Sequence, residues 1–188
     1  MSTTTIIILV LAVVILWVIF AYNRLVALVN QAKEAWADIQ VQLKRRYDLI
    51  PNLVETVKGY AGHEASIFEN VTRARATAMG ASSSTPETQA KAENMLTGAL
   101  KTLFAVSEAY PDLKANQNFL QLQKELGDTE DKIQASRRFY NTTVMTLNTA
   151  EQSFPGNIIA STFSFKPMDL FELGDDERAA KQPVKVQF

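Results

Sequence analysis

The lone histidine, His63, sets the limit on the chemistry this chain can carry. His63-Glu64 is the first half of a His-Glu-x-x-His zinc motif, in which two imidazoles one helical turn apart share a metal, but residue 67 is Ile. A di-iron carboxylate site in a helical bundle needs two Glu-x-x-His pairs, which one histidine cannot supply. The absence of cysteine excludes disulfides, thiol nucleophiles and iron–sulfur clusters. No Ser–His–Asp arrangement stands out from chance, and neither a P-loop nor a dinucleotide fingerprint occurs. The sequence therefore offers no catalytic residue, no metal ligand and no cofactor-binding residue. It reads as a non-enzyme, with His63 a polar residue near a helix break.

The charged residues suggest a different use. Arg45-Arg46 and Arg137-Arg138 are basic pairs, but acidic residues interleave with them and the formal net charge is −1. Solvated faces and intrahelical pairs are the better account, and no nucleic-acid partner is expected. Arg46 and Glu64 nevertheless fall on apolar rows, and Glu130, Arg137 and Glu151 edge another. These five are candidate polar layers, in which buried opposite charges pair between helices and fix their register. The rival reading makes them a ligand or partner site.

The elements that must position these residues are helices. From Ile6 to Ala21 every residue is apolar, and Thr3–Tyr22 is uncharged throughout. Such a stretch covers roughly 30 Å as a helix, the hydrocarbon thickness of a bilayer. Trp17 and Tyr22 suit the interface belt. No basic residue precedes the run, as a cleaved signal peptide would require, so it is expected to be an uncleaved anchor over residues 1–22. Arg24, Lys33, Lys44, Arg45 and Arg46 all follow it, which places the remainder on the cytoplasmic side.

Beyond the anchor, apolar residues recur every seven positions, as in a coiled-coil seam. One row is Leu25, Ala32, Ile39, Leu53, Tyr60, Ile67 and Ala74; the other is Val29, Trp36, Leu43, Ile50, Val57, Val71 and Ala78. Pro51 predicts a kink or break near 48–51, and Gly59 and Gly62 bracket Tyr60-Ala61. Thr85-Pro86-Glu87 has the pattern of a cap, first position and first turn of a new helix. Its seam is expected along Ala92, Leu96, Ala99, Leu103, Val106 and Tyr110, ending at Pro111. A last helix carries Phe119, Leu126, Ile133, Tyr140, Leu147 and Phe154, flanked by the small residues Thr129, Ser136, Thr143 and Ala150, and stops at Pro155-Gly156. The prediction is an all-α chain: a transmembrane helix, then an antiparallel bundle of three to four long helices over 23–165. Four are favoured, because a break at Pro51 equalises the lengths. Residues 166–188 read as an acidic tail without fixed structure. Ahead of it, Ile158, Ile159, Phe163 and Phe165 form a candidate interaction segment, too apolar for a plain tail. It either folds back on the bundle, the favoured outcome, or meets a partner or the bilayer.

Several stretches together resemble the LemA family. They are Tyr22-Asn23-Arg24-Leu25-Val26, Ala35-Trp36-Ala37-Asp38-Ile39, the run from Gln42 through Pro51 to Val54, Val57-Lys58-Gly59-Tyr60-Ala61, Ala109-Tyr110-Pro111-Asp112-Leu113-Lys114-Ala115, and Arg137-Arg138-Phe139-Tyr140-Asn141. The resemblance covers almost the whole chain. It implies an N-terminally anchored bacterial membrane protein with a helical bundle. It brings no catalytic residues, and nothing here selects the branch of that family associated with magnetosome membranes. The expected function is a membrane-anchored helical scaffold or interaction protein of the bacterial envelope, in the inner membrane. Membrane lipid would contact its N-terminal helix, and its partner would be another membrane or envelope protein, or itself as a homo-oligomer. The alternative is a ligand-binding sensor with a pocket between bundle helices.

Overall fold

The computed structural model describes residues 2–172. Helix α1 runs from Thr3 to Lys58, 56 residues. It is followed by α2 (Ala65–Gly80), a 3-10 turn at Ala81–Ser83, α3 (Pro86–Ser107), the single turn α4 (Pro111–Lys114), α5 (Gln117–Gln152) and α6 (Gly156–Thr162). Among the described residues there is no strand.

Of the kink or break predicted at Pro51, the break is absent: α1 is continuous through it. Proline cannot donate to the carbonyl four residues back, so an interior proline normally leaves that oxygen orphaned. Here the orphan is the Tyr47 carbonyl, and Arg75 of α2 donates its Nε–H to it at 2.8 Å. The helix therefore continues without an orphaned oxygen at Tyr47. It ends instead at Lys58, where Tyr60 and Ala61 both donate to the Val57 carbonyl and close a tight turn. The bundle still contains four long segments, but the first is the second half of α1 rather than a piece cut at Pro51.

The chain divides into two compact units. One comprises Asp38–Arg137 with Phe171 and Glu172. Its four segments are residues 38–58 of α1, α2, α3 and residues 117–137 of α5. Direction follows from the contacts. Tyr47 meets Arg75 and Lys58 lies over the Phe68 ring, so α2 is antiparallel to α1. Gln40 meets Gln89 and Arg46 meets Thr97, so α3 runs with α1. Arg46 meets Glu130 and Tyr60 meets Asn116, so α5 runs against it. Ile39, Leu43, Ile50, Leu53 and Val57 from α1 are fully or almost fully buried, with Val71, Leu96, Leu103 and Ile133. The cap of α3 is the one expected: the Thr88 amide donates to Thr85 Oγ1, with Pro86 at the first position. The seam of α3 differs from expectation, because Leu100 and Ser107 are buried in place of Ala99 and Val106.

The other unit comprises residues up to Ala37 with Arg138–Leu170. The Trp36 ring lies 5.2 Å from that of Tyr140, and Tyr22 packs edge-on against Phe163 at 4.8 Å, so α5 is antiparallel to α1 here too. Between Ile6 and Phe20 no side chain of α1 is buried, which leaves a helix long and apolar enough to cross a membrane. At the turn after α5, Gly156 is required by space, since a Cβ there would be driven into the Ala150 carbonyl oxygen. The expected tail is fixed over its first residues. Asn148 exchanges two hydrogen bonds with the Met168 backbone, and the Tyr140 hydroxyl donates to the Asp169 carbonyl. Phe171 is fully buried. The rest of the expected tail, 173–188, lies outside the described residues.

Candidate functional site

Consecutive residues of α1, Arg46 and Tyr47, both point into the core of the Asp38–Arg137 unit, 3% and 5% exposed. Opposite them α3 presents Gln89, Glu93 and Thr97, four residues apart and hence on one helical face. Glu93 is 0% exposed. Its Oε1 accepts from the Tyr47 hydroxyl, and its Oε2 lies 3.4 Å from Arg46 Nη1. The same nitrogen reaches Glu130 Oε2 at 3.5 Å, while Arg46 Nη2 donates to Thr97 Oγ1 at 2.7 Å. One turn away, Gln40 Nε2 donates to Gln89 Oε1 at 2.8 Å.

Burial raises the pKa of the Glu93 carboxyl above the ordinary carboxylate value. The Tyr47 bond and the Arg46 charge oppose this, and Glu130 adds to it. The Tyr47 phenol is pushed up as well, by burial first and then by Glu93. Chemically this is a network whose groups satisfy one another: the guanidinium is shared by two carboxylates and a hydroxyl, and the phenol is spent on a carboxyl oxygen. Among the described residues no three Asp, Glu or His side chains gather as a metal ion would require. A cleft of about 460 Å³ opens beside the network, with Arg46, Thr97, Lys101, Phe104 and Glu130 on its walls.

Of the five charged residues singled out in the sequence, Arg46 and Glu130 come together. Arg137 is buried further along α5. Glu64 sits apart, at the start of α2, where its Oε1 accepts from the Tyr110 hydroxyl at 3.4 Å. Glu151 belongs to the other unit; it is 6% exposed, its Oε1 has no hydrogen-bond partner, and burial raises its pKa. The candidate interaction segment is split. Ile159 is buried, and Phe163 and Phe165 both pack against Tyr22, although Phe163, like Ile158, stays about half exposed. Glu93, Tyr47, Gln89 and Thr97 were not anticipated. A signal for two of them exists, since Gln89, Glu93, Leu96, Leu100, Leu103 and Ser107 are spaced by alternating fours and threes, the mark of a buried helical row.

The chain is similar to Protein LemA of Metamycoplasma hominis, with 27% identity over 158 residues, covering 83% of this chain and 71% of that protein. It is 25% identical over 174 residues to Magnetosome protein MamQ of Magnetospirillum gryphiswaldense, and 26% identical over 175 to Magnetosome protein MamQ 2 of Paramagnetospirillum magneticum. Each match covers 80% of this chain but only 64% of the magnetosome protein, just under two thirds of its length. The sequence model described as the LemA family matches residues 35–188, which takes in the whole buried network, and the chain belongs to that family.

Proposed function

We propose that this protein is a non-enzymatic interaction protein of the bacterial envelope, anchored by the first part of α1 in the inner membrane, with the helical domain in the cytoplasm. The observation that carries the reading is the unburied run from Ile6 to Phe20 at the head of an otherwise packed helix. Exposing one large apolar side chain to water costs about 1.5–3 kcal/mol, so a run of this length calls for lipid. The basic residues after the run favour the cytoplasmic side. The non-enzymatic part is supported by the network itself, whose polar groups are spent on one another. Long helical faces tied to a membrane suit the binding of a membrane or envelope partner, or of a second copy of the chain. The cleft beside Arg46 favours a second reading, a sensor that takes a small polar ligand there.

Because the chain has no cysteine, single cysteines report topology cleanly. In intact cells an impermeant maleimide should label Ser2→Cys directly and Ser84→Cys only after the inner membrane is opened. Labelling in the opposite order refutes the orientation, and release of the protein by alkaline carbonate refutes the span. Crosslinking in native membranes then separates the two functional readings. A stoichiometric protein adduct supports an interaction protein, and ligand-dependent stabilisation without one supports a sensor.

A further inference from the structure

A second cleft, of about 620 Å³, lies within the unit formed by the head of α1 and the end of α5. Its walls grade from apolar to hydroxylated. Trp17 and Phe20 of α1 stand at one end beside Phe154, which is 81% exposed. Arg24 comes next. Beyond it Ser153, Thr149, Thr146 and Thr142 climb α5 at spacings of four, three and four, so that their hydroxyls share one face, with the Met145 side chain among them. Among the described residues Arg24 is the one charged side chain on these walls, and no carboxylate lies within ion-pair distance of it. Seven residues separate Trp17 from Arg24, about 10 Å along the helix. Since Tyr22 closes the apolar run, that distance carries the cleft from hydrocarbon depth to headgroup depth.

We propose that this cleft binds one phospholipid from the surrounding leaflet, a phosphodiester with a hydroxyl-bearing headgroup. The acyl chain lies along Trp17, Phe20 and Phe154, and the phosphate pairs with Arg24. The headgroup hydroxyls reach the threonines of α5, where Thr146, its own proton given to the Thr142 carbonyl, is left to accept. Three observations carry the assignment together: a cation with no counter-charge among the described residues, a largely hydroxylated wall on the side away from the bilayer, and continuity with the apolar run at the other end. The proposal rests on the membrane reading above, and its test distinguishes failure of the cleft from failure of the span.

The full chain is reconstituted in phosphatidylcholine nanodiscs containing a small fraction of photolabile phosphatidylglycerol or, as control, photolabile phosphatidylcholine. Each probe carries a diazirine in the acyl chain or in the headgroup, and adducts are mapped by mass spectrometry. Acyl-chain adducts on residues 6–16 report the span and should not depend on headgroup. Headgroup adducts on residues 142–153 should favour phosphatidylglycerol. Arg24→Gln should reduce them about tenfold, the loss of one charge-assisted contact. Thr149→Phe should abolish them by filling the cleft, leaving the adducts on 6–16 intact, and excess inorganic phosphate should not compete. Equal labelling by both lipids, unchanged by Arg24→Gln, overturns the site while leaving the span. Loss of headgroup labelling under inorganic phosphate assigns the cleft to a free anion and also overturns it. Absence of adducts on residues 6–16 overturns the span and the cleft together.

Discussion

Replacing Arg46 by Met tests whether the buried network holds the bundle together. The methionine keeps most of the aliphatic stem, so the change isolates the guanidinium. Glu93, 0% exposed, is left with the Tyr47 hydroxyl alone, and Thr97 loses its 2.7 Å donor. Breaking a buried ion pair by removing one partner typically costs 3–5 kcal/mol. Two features place this case at the lower end. The Arg46–carboxylate separations of 3.4 and 3.5 Å are long for charge-assisted bonds. Glu93, already raised by burial, can also escape by taking a proton. The expected loss is about 3 kcal/mol at neutral pH, shrinking as the pH falls towards the carboxylate range and Glu93 becomes neutral. Arg46→Met with Glu93→Gln removes both charges while keeping an acceptor for Tyr47, and should return to within about 1 kcal/mol of the parent. Urea unfolding followed by far-ultraviolet circular dichroism, across pH, reads all three proteins. A single-variant loss below about 1 kcal/mol, typical of an exposed pair, or strict additivity in the double variant, would refute the reasoning.

Three further expectations follow from individual contacts. Arg75→Leu should cost about 1.5–3 kcal/mol by orphaning the Tyr47 carbonyl, and that loss should largely vanish in a Pro51→Ala background, where residue 51 regains its own N–H; equal losses in both backgrounds would disprove the capping role. Glu151 has a raised pKa, so the native state holds its proton more tightly than the unfolded chain, and its contribution falls as pH rises from the ordinary carboxylate value through the native one; Glu151→Gln should flatten that decline in a melting-temperature series and raise stability at neutral pH by about 1 kcal/mol. Deleting residues 1–21 should leave a soluble, helical, monodisperse chain, since the buried rows of α1 begin at Leu25; precipitation as unfolded chain, seen by light scattering and circular dichroism, would contradict this.

Much of the fold was legible because it rests on local rules. The row that starts at Phe119 is buried at every seventh residue as far as Leu147, although Phe154, expected to close it, is exposed, and Thr85-Pro86 starts α3 through capping chemistry contained in four residues. Pro51 misled for a non-local reason: the group that rescues its orphan carbonyl lies on another helix, 28 residues away. The glycines at 59 and 62, with no distant partner to save the helix, mark the true end of α1. The candidate site was half legible. Arg46 betrayed itself as a charge on an apolar row, but Glu93 looked like one more surface carboxylate of α3. Only the 4-3-4 spacing from Gln89 to Ser107 places it inside. The Arg24 cleft was not legible, because its walls come from segments more than a hundred residues apart.

The contact that lets α1 pass Pro51 also imposes an order of assembly. Translation delivers Tyr47 and Pro51 well before Arg75, so the emerging chain has an unsealed joint at residue 47 for as long as α2 is incomplete. In that interval the segment beyond the proline can still pivot. Arrival of Arg75 closes the joint and turns two short rods into one. The continuity of the 56-residue helix thus draws on tertiary structure, and a peptide ending before Arg75 should lose helix around residue 51 that the finished protein keeps.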